Sequence, residues 1–223
     1  EEFMVLANVA AAETLIAKKQ PLLFRVHEEP SVEKMESLRA TAQSAGFNLA
    51  KGQVLKTAHL NRLLDQAAGT EEAELINIST LRSMTQAYYS PVNFGHFGLA
   101  LGCYAHFTSP IRRYADLLVH RALVDAAAGR KSGPKDGLNG MPLDQIAEIC
   151  THISETEANA AAAERRTIDR FAAALFETRL GVVVDGVIVA ITGFGAFIRL
   201  EDGAADGLLP LNGLPDDYYD YDE

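Results

Sequence analysis

The side chains best suited to chemistry lie close together in residues 94–121, FGHFGLALGCYAHFTSPIRRYADLLVHR. Within this block, Thr108 or Ser109 followed by Pro110 is typical of a helix start, because a hydroxyl caps free amides and proline at the first helical position loses no hydrogen bond. We therefore predict a helix that begins there and runs to about Ala128.

Two consecutive arginines, Arg112 and Arg113, fall in the first turn of this predicted helix, where the positive end of the helix dipole disfavours each cation by roughly 0.3–1 kcal/mol. A bound anion would compensate, because free backbone amides and two guanidinium groups that point the same way suit a phosphate. Arg112, Asp116 and His120 share one stripe of the helix, so Asp116 could orient Arg112. The alternative is an ion-pair ladder that only helps the helix to dock.

Aromatic rings and imidazoles are crowded upstream of the arginines, among glycines that allow close backbone approach. Rings beside a phosphate site suit a single strand, whose bases stack on aromatic side chains, and core packing is the alternative for any one ring. The sequence has no histidine pair at metal-binding spacing and no Ser/His/Asp arrangement in a supporting context, so we predict neither metal ligands nor a hydrolase triad within it. The crowded rings are Phe94, His96, Phe97, Tyr104, His106 and Phe107.

The net charge of −10 argues only superficially against a polyanionic ligand, since residues 201–223 hold eight acids and no base. Residues 1–200 carry a net charge of −2, and a nearly neutral body can hold a local basic site. Two cysteines are too few for a disulfide scaffold. The sequence also lacks a membrane-spanning stretch and a secretory signal, so we expect a cytoplasmic protein with no membrane partner.

Hydrophobic periodicity places the remaining elements and predicts an α+β fold, mostly helical and then stranded, with a domain boundary between residues 180 and 181. A loop rich in glycine and proline is predicted over 129–142. Three strands leave open edges and the first helix lacks a capping sequence, so we expect a fragment of a longer protein. The predicted helices are 3–17, 30–45, 57–68 and about 144–180, and the predicted strands are roughly 183–190, 194–200 and 206–210.

Two stretches, HFGLAL and YAHFTSPIRRYADLLVHR, closely resemble the catalytic-domain signature of the RNB exoribonuclease family, which includes ribonuclease II and ribonuclease R. EEFMVLANVAAA resembles the family's buried helix, LFRVHEEP its following strand and turn, and AERR a motif on its long C-terminal helix. GVVVDGVIVAITGFGAFIRL resembles the start of the S1-type RNA-binding OB-fold, a β-barrel, that follows in these enzymes. The resemblance thus implies the C-terminal part of an RNB catalytic domain over 1–180 and a truncated OB-fold over 181–223.

The resemblance implies processive hydrolysis of single-stranded RNA from the 3′ end to nucleoside 5′-monophosphates, by two-metal chemistry. Arg112 matches the family's catalytic arginine, which is expected to hold the scissile phosphate and to stabilise developing charge. Glu1 matches an active-site glutamate that contacts the terminal nucleotide. Glu164 matches an acidic position near the RNA 3′ end, with a solvated helix face as the alternative. The Mg²⁺ ligands, aspartates in the family, are expected upstream of Glu1, outside this chain.

Phe194 and Phe197 in GFGAF match positions where such OB-folds place rings on the RNA-binding face, with barrel packing as the alternative for Phe197. The expected partners are single-stranded RNA and the missing N-terminal part of the same protein, which would be a monomer when complete. A non-catalytic RNA-binding or scaffold relative is the alternative function. The predicted RNA-binding residues are Tyr104, His106, Ser109, Arg113, Asp116, His120, Phe194 and Phe197.

Overall fold

The chain forms two compact units, Glu1–Glu157 and Ala158–Glu223, which divide inside a long helix. The domain boundary at residues 180 and 181 therefore stays a prediction. The acidic tail from residue 216 onward lies outside the described residues. The computed structural model describes residues 1–49, 56–129, 138, 140–200 and 205–215.

The first predicted helix is confirmed as α1, Glu2–Ala17. Its small apolar face, including Ala12 and Leu15, is fully buried in the core of the first unit. Its other apolar side chains are not covered, since Phe3 is 86% exposed. Within this chain, α1 is therefore buried on one face only.

A small antiparallel sheet lies against α1 and contributes to the same core. It consists of β1, Phe24–Val26, and β2, Tyr88–Ser90, in the register Phe24↔Ser90. The core is completed by α5, Tyr114–Ala127, through Val119. Because α1 and α5 pack together, the segment that leads into α5 lies beside α1.

Three helices form a second core in the first unit. They are α2, Val32–Ser44, α3, Thr57–Ala67, and α4, Ala73–Ser83. The Ser31 hydroxyl caps α2 by accepting the Lys34 N–H, which explains where that helix begins. The helices α2 and α3 confirm the predicted periodic segments, whereas α4 is not anticipated by the sequence pattern.

The long predicted helix is confirmed as α6, Leu143–Glu177, which at 1.5 Å per residue is about 52 Å long. Its first turns are anchored by Ile146 and Cys150, which are both 2% exposed. The predicted loop over 129–142 lies largely on residues 130–137 and 139, outside the described residues. No helix in the described ranges combines the length and the apolar character needed to cross a membrane.

The second unit contains the three predicted strands, which form one antiparallel sheet in the order β3-β4-β5. The strands are β3, Gly186–Thr192, β4, Gly195–Leu200, and β5, Asp206–Pro210. Gly195 at the start of β4 has φ +151°, and a Cβ there would clash with the Leu209 carbonyl oxygen. Only glycine permits this close approach between β4 and β5.

Candidate functional site

The helix that carries the arginine motif begins later than its sequence suggests. α5 begins at Tyr114, and Arg113 is its N-cap, so the predicted start at Ser109 and Pro110 is wrong. Ahead of it the chain makes a turn, in which the N–H groups of Arg112 and Arg113 both approach the Ser109 carbonyl oxygen, at 3.3 and 3.2 Å. The physical reason for the later start lies in the carboxylate of Asp116.

Asp116 is completely buried and accepts hydrogen bonds from two directions. Its Oδ1 accepts the Ser109 N–H at 2.7 Å, and both oxygens accept from the Arg113 guanidinium at 2.8 Å. Removing one partner of a buried pair of this kind typically costs about 3–5 kcal/mol. The carboxylate therefore holds the turn against the first turn of α5.

The side chain of Arg112, by contrast, is exposed and makes no hydrogen bond or ion pair with any residue that the structure describes. The prediction that Asp116 orients Arg112 is thus wrong, because the carboxylate is occupied by Arg113 and by the Ser109 N–H. Arg113 is only 19% exposed at its side chain and is committed to that pair. Of the two arginines, Arg112 is the one with a guanidinium available to a phosphate.

The segment before the turn is held by side chains rather than by a sheet. Asn8 of α1 accepts the N–H groups of Phe107 and Thr108 through Oδ1, at 2.9 and 3.2 Å. His120 of α5 bonds through Nε2 to the Phe107 carbonyl oxygen at 2.8 Å and stacks on the Phe107 ring at 4.3 Å. His120 is thereby placed as a support of the loop rather than beside Arg112. Sequence analysis did not identify Asn8.

Tyr104 lies in the protein interior, only 7% exposed, and its hydroxyl accepts a hydrogen bond from Asn8 Nδ2 at 2.8 Å. Its ring meets His96 and His106 edge-on, at 5.3 and 5.7 Å between centroids. The geometry favours the packing alternative for Tyr104, because so little of its ring is open to a base.

His106 is bonded through Nδ1 to the hydroxyl of Tyr89, at 2.8 Å. Burial, together with nearby Arg113 and Arg25, lowers the pKa of His106 to about 3. Burial likewise raises the pKa of Tyr89 to about 12. At neutral pH the Tyr89 hydroxyl therefore keeps its proton, and it can donate a hydrogen bond to Nδ1 of the neutral His106 imidazole.

Three further predicted site residues are Glu1, which lies in the first unit, and Glu164 and Phe194, which lie in the second. Glu1 is exposed and is the N-cap of α1, with no hydrogen bond or ion pair to Arg112 in the described part of the chain. Glu164 is exposed on α6 in the second unit. Phe194, in the turn between β3 and β4, is 60% exposed and meets Phe197 edge-on at 6.1 Å.

A cleft of about 580 Å³ in the first unit is lined in part by rings of the aromatic cluster, those of Phe94, His96 and Phe97. Arg112 does not line the cleft, so the arginine and the cleft are separate features. The lining residues include His27, Lys56, Asn61, Phe94, His96 and Phe97.

Among the residues described, no group of three or more His, Cys, Asp or Glu side chains is placed to hold a metal ion, so the donor set does not fit a two-metal centre.

The fold and site together define a class: a helical domain that presents an unpaired arginine on a firmly held turn, followed by strands of a small β-domain. A family model described as the RNB domain matches residues 1–129, and one described as the S1 RNA binding domain matches residues 177–223. The chain belongs to the RNB family. The resemblance recognised in residues 94–121 is confirmed, as is the α+β fold class.

The chain is similar to two curated relatives over its whole length. It is 41% identical to ribonuclease R of Buchnera aphidicola, of which it covers 31%, and 40% identical to ribonuclease R of Escherichia coli, of which it covers 28%. The chain thus spans less than a third of the length of these relatives.

Solved structures show the same relationship. The chain matches Mycoplasma genitalium RNase R in complex with ribose-methylated single-stranded RNA with a TM-score of 0.87 and 30% identity, covering 99% of this chain and 34% of that one. It matches the complex of the same enzyme with double-stranded RNA with a TM-score of 0.80, covering 92% and 36%. Yeast Ssd1, a pseudonuclease, shares the fold at 20% identity and a TM-score of 0.74, over 94% of this chain and 26% of that one.

The lowered pKa of His106 predicts a pH-dependent stability. The unfolded chain binds a proton at this residue below about pH 6.5, whereas the folded chain binds it only near pH 3. The free energy of unfolding should therefore fall as the pH falls from about 6.5 toward 3. In His106→Gln, denaturant unfolding between about pH 7 and pH 4.5 should show a smaller loss of stability than in the wild type. His152→Gln, at an exposed position on α6, is the control, and equal losses in wild type and His106→Gln would contradict the prediction.

Proposed function

We propose that this chain is part of a 3′-to-5′ exoribonuclease that hydrolyses single-stranded RNA processively to nucleoside 5′-monophosphates. Membership of the RNB family supports the reaction class. The observation that carries the proposal is the exposed side chain of Arg112, which has no partner among the described residues, beside the Arg113–Asp116 pair, whose carboxylate is fully buried. One arginine is thereby immobilised, and its neighbour is left available for a phosphodiester.

Arg112 suits the scissile phosphate for electrostatic reasons. A planar guanidinium can donate to two phosphate oxygens at once, and these bonds strengthen as negative charge develops during hydrolysis. Because Arg112 makes no ion pair in the described structure, it need not break one to bind RNA. Arg113 differs, since its Nε and Nη2 already donate to Asp116. We therefore assign Arg113 to positioning the turn rather than to direct phosphate contact.

RNB-family ribonucleases generally depend on divalent metals. We propose that the ion here is Mg²⁺ and that its ligands lie outside this chain, because the described residues do not supply a fitting donor set. What this chain contributes is the orientation of the phosphate. Glu1 and Glu164 are proposed to contact the terminal nucleotide and the RNA 3′ end.

Single-stranded RNA is the proposed ligand, and the second unit is proposed to bind it through Phe194. The match to an S1 RNA binding domain over residues 177–223 supports this role. A ring that is 60% exposed at a strand turn can stack on bases of any sequence. The cytoplasm is the proposed location, because the similar bacterial proteins are named ribonuclease R and both cysteines are free thiols.

The reaction is tested with the full-length protein, Mg²⁺ and a single-stranded RNA labelled at either end. The 3′ label should appear at once as mononucleotide, and the 5′ label should remain on long RNA or reach the final product without a ladder of intermediates. The isolated chain should release no mononucleotide. Binding of RNA by the full-length protein without hydrolysis would favour the alternative, a non-catalytic RNA-binding relative.

Arg112→Lys in the full-length protein tests the role of the guanidinium. Lysine keeps the charge but loses the two-pronged donor, so the affinity for a long RNA should change little. The single-turnover rate should fall by about 10²–10³-fold, the usual cost of one lost transition-state hydrogen bond. Arg62→Lys, exposed on α3, is the control. Near-normal turnover in Arg112→Lys would remove Arg112 from the catalytic residues.

Phe194 is tested by two substitutions that separate ring stacking from apolar area. Phe194→Leu keeps an apolar side chain without the aromatic face and should weaken binding of single-stranded RNA by about 1–3 kcal/mol. Phe194→Trp keeps a stacking face and should bind as tightly as the wild type. The affinities are measured by fluorescence anisotropy on RNA. Equal affinity of both variants would show that Phe194 packs in the β-domain instead.

A further inference from the structure

We propose that Asn8 is a positioning residue for Arg112, one that acts through the backbone of the Phe107–Thr108 segment. This inference rests on the proposed function, since it assigns a role in orienting the phosphate-binding arginine. Asn8 lies on α1, about one hundred residues before the segment that it holds. It is 3% exposed, so its side chain is shielded from water and cannot itself contact RNA.

The amide of Asn8 is almost fully used by the segment that leads to Arg112. Oδ1 accepts the N–H groups of Phe107 and Thr108, and Nδ2 donates to the Tyr104 hydroxyl. The two backbone N–H groups can only donate, so they determine which end of the amide is the oxygen. Three of the four hydrogen-bonding positions of the amide are thereby satisfied. Such an arrangement specifies one geometry of the segment.

The neighbouring polar groups of the segment are held in the same manner. His120 bonds to the Phe107 carbonyl oxygen, and Asp116 accepts the Ser109 N–H. Side chains from α1 and α5 therefore bind the backbone of residues 107–109 from both sides. A backbone group that is shielded from water is destabilising when it loses its partner, so each of these bonds resists displacement of the segment.

Arg112 depends on this backbone more than most exposed arginines would. Its side chain has no partner among the described residues, so only the turn sets its origin and direction. The turn is closed on the Ser109 carbonyl oxygen, and Ser109 directly follows Thr108. A shift of Thr108 would therefore be passed to Arg112, and a misplacement of about 1 Å can cost about 10²-fold in rate.

A purely structural role predicts something different. The packing of α1 on α5 is supplied by apolar side chains, among them Ala12, Leu15 and Val119. If Asn8 served only that packing, its replacement would lower stability without changing the rate of the folded protein. The two roles are therefore separable by kinetics on the full-length protein below its melting temperature.

The test uses Asn8→Leu, which keeps a similar volume but offers no acceptor, and Asn8→Asp, which keeps the acceptor for both N–H groups. In Asn8→Asp the Tyr104 hydroxyl can donate to the carboxylate instead of accepting. We expect Asn8→Leu to lower the single-turnover rate by about 10²-fold with little change in RNA affinity, and Asn8→Asp to retain most of the rate. Leu38→Ala, in the separate core of α2, α3 and α4, is the control for lost stability alone.

A double-mutant cycle with Arg112→Lys identifies the path of the effect. If Asn8 acts through Arg112, adding Asn8→Leu to Arg112→Lys should change the rate by no more than about a factor of two. Independent, additive losses would overturn the inference. A loss of single-turnover rate in Asn8→Leu that only parallels the drop in its melting temperature, as expected for Leu38→Ala, would also overturn the inference. If Asn8→Leu does not fold, Asn8→Ser takes its place in the same cycle.

Amide hydrogen exchange separates this inference from the proposed function. The N–H groups of Phe107 and Thr108 should exchange faster in Asn8→Leu than in the wild type, while the amides of α3 should not change. Unchanged exchange at these two positions would overturn the inference whether or not the protein hydrolyses RNA. If exchange is faster in Asn8→Leu as expected, but the wild-type protein does not hydrolyse RNA, the proposed exoribonuclease function is refuted. Asn8 would then still be the residue that positions Arg112.

Discussion

The burial of one carboxylate, that of Asp116, controls the geometry of the whole site. A charge removed from water must be paired and hydrogen-bonded, and Arg113 with the Ser109 N–H meets that requirement. These bonds delay the start of α5 until Tyr114 and fold the preceding residues into a turn. They also occupy one arginine of the pair, and the guanidinium of Arg112 is left without a partner among the described residues as a consequence.

Polar side chains also stabilise the backbone beside the site. The segment before the turn is held by side-chain hydrogen bonds instead of by a sheet. A neutral His106 imidazole belongs to this arrangement, because a charged His106 would repel Arg113 and could no longer accept a hydrogen bond from the Tyr89 hydroxyl at Nδ1. The long helix is tied to the same region. Arg25 pairs with Glu157 of α6 through its two terminal guanidinium nitrogens, Nη1 and Nη2, and lies over the Tyr89 ring.

Helices and strands with a strong hydrophobic periodicity could be predicted from the sequence. A helix whose buried face combines polar and apolar residues could not. The helices α1, α2, α3 and α6 and all three strands of the second unit follow the sequence pattern within a few residues. α4 was missed because its buried residues are Ile76, Thr80 and Ser83, two of them polar, so it shows no apolar stripe. The start of α5 was wrong because Pro110 is a local signal, whereas the carboxylate that overrides it lies in the following helix turn.

The family, the α+β class and the block of residues that holds the arginines can be read from the sequence alone, because residue types, periodicity and motif spacing are local properties of the chain. Which arginine is available becomes evident only in the folded protein. That choice depends on where α5 begins and therefore on the burial of Asp116. The tertiary structure alone also revealed Asn8, whose partners lie about one hundred residues away, since no local pattern encodes a contact between α1 and the Phe107–Thr108 segment.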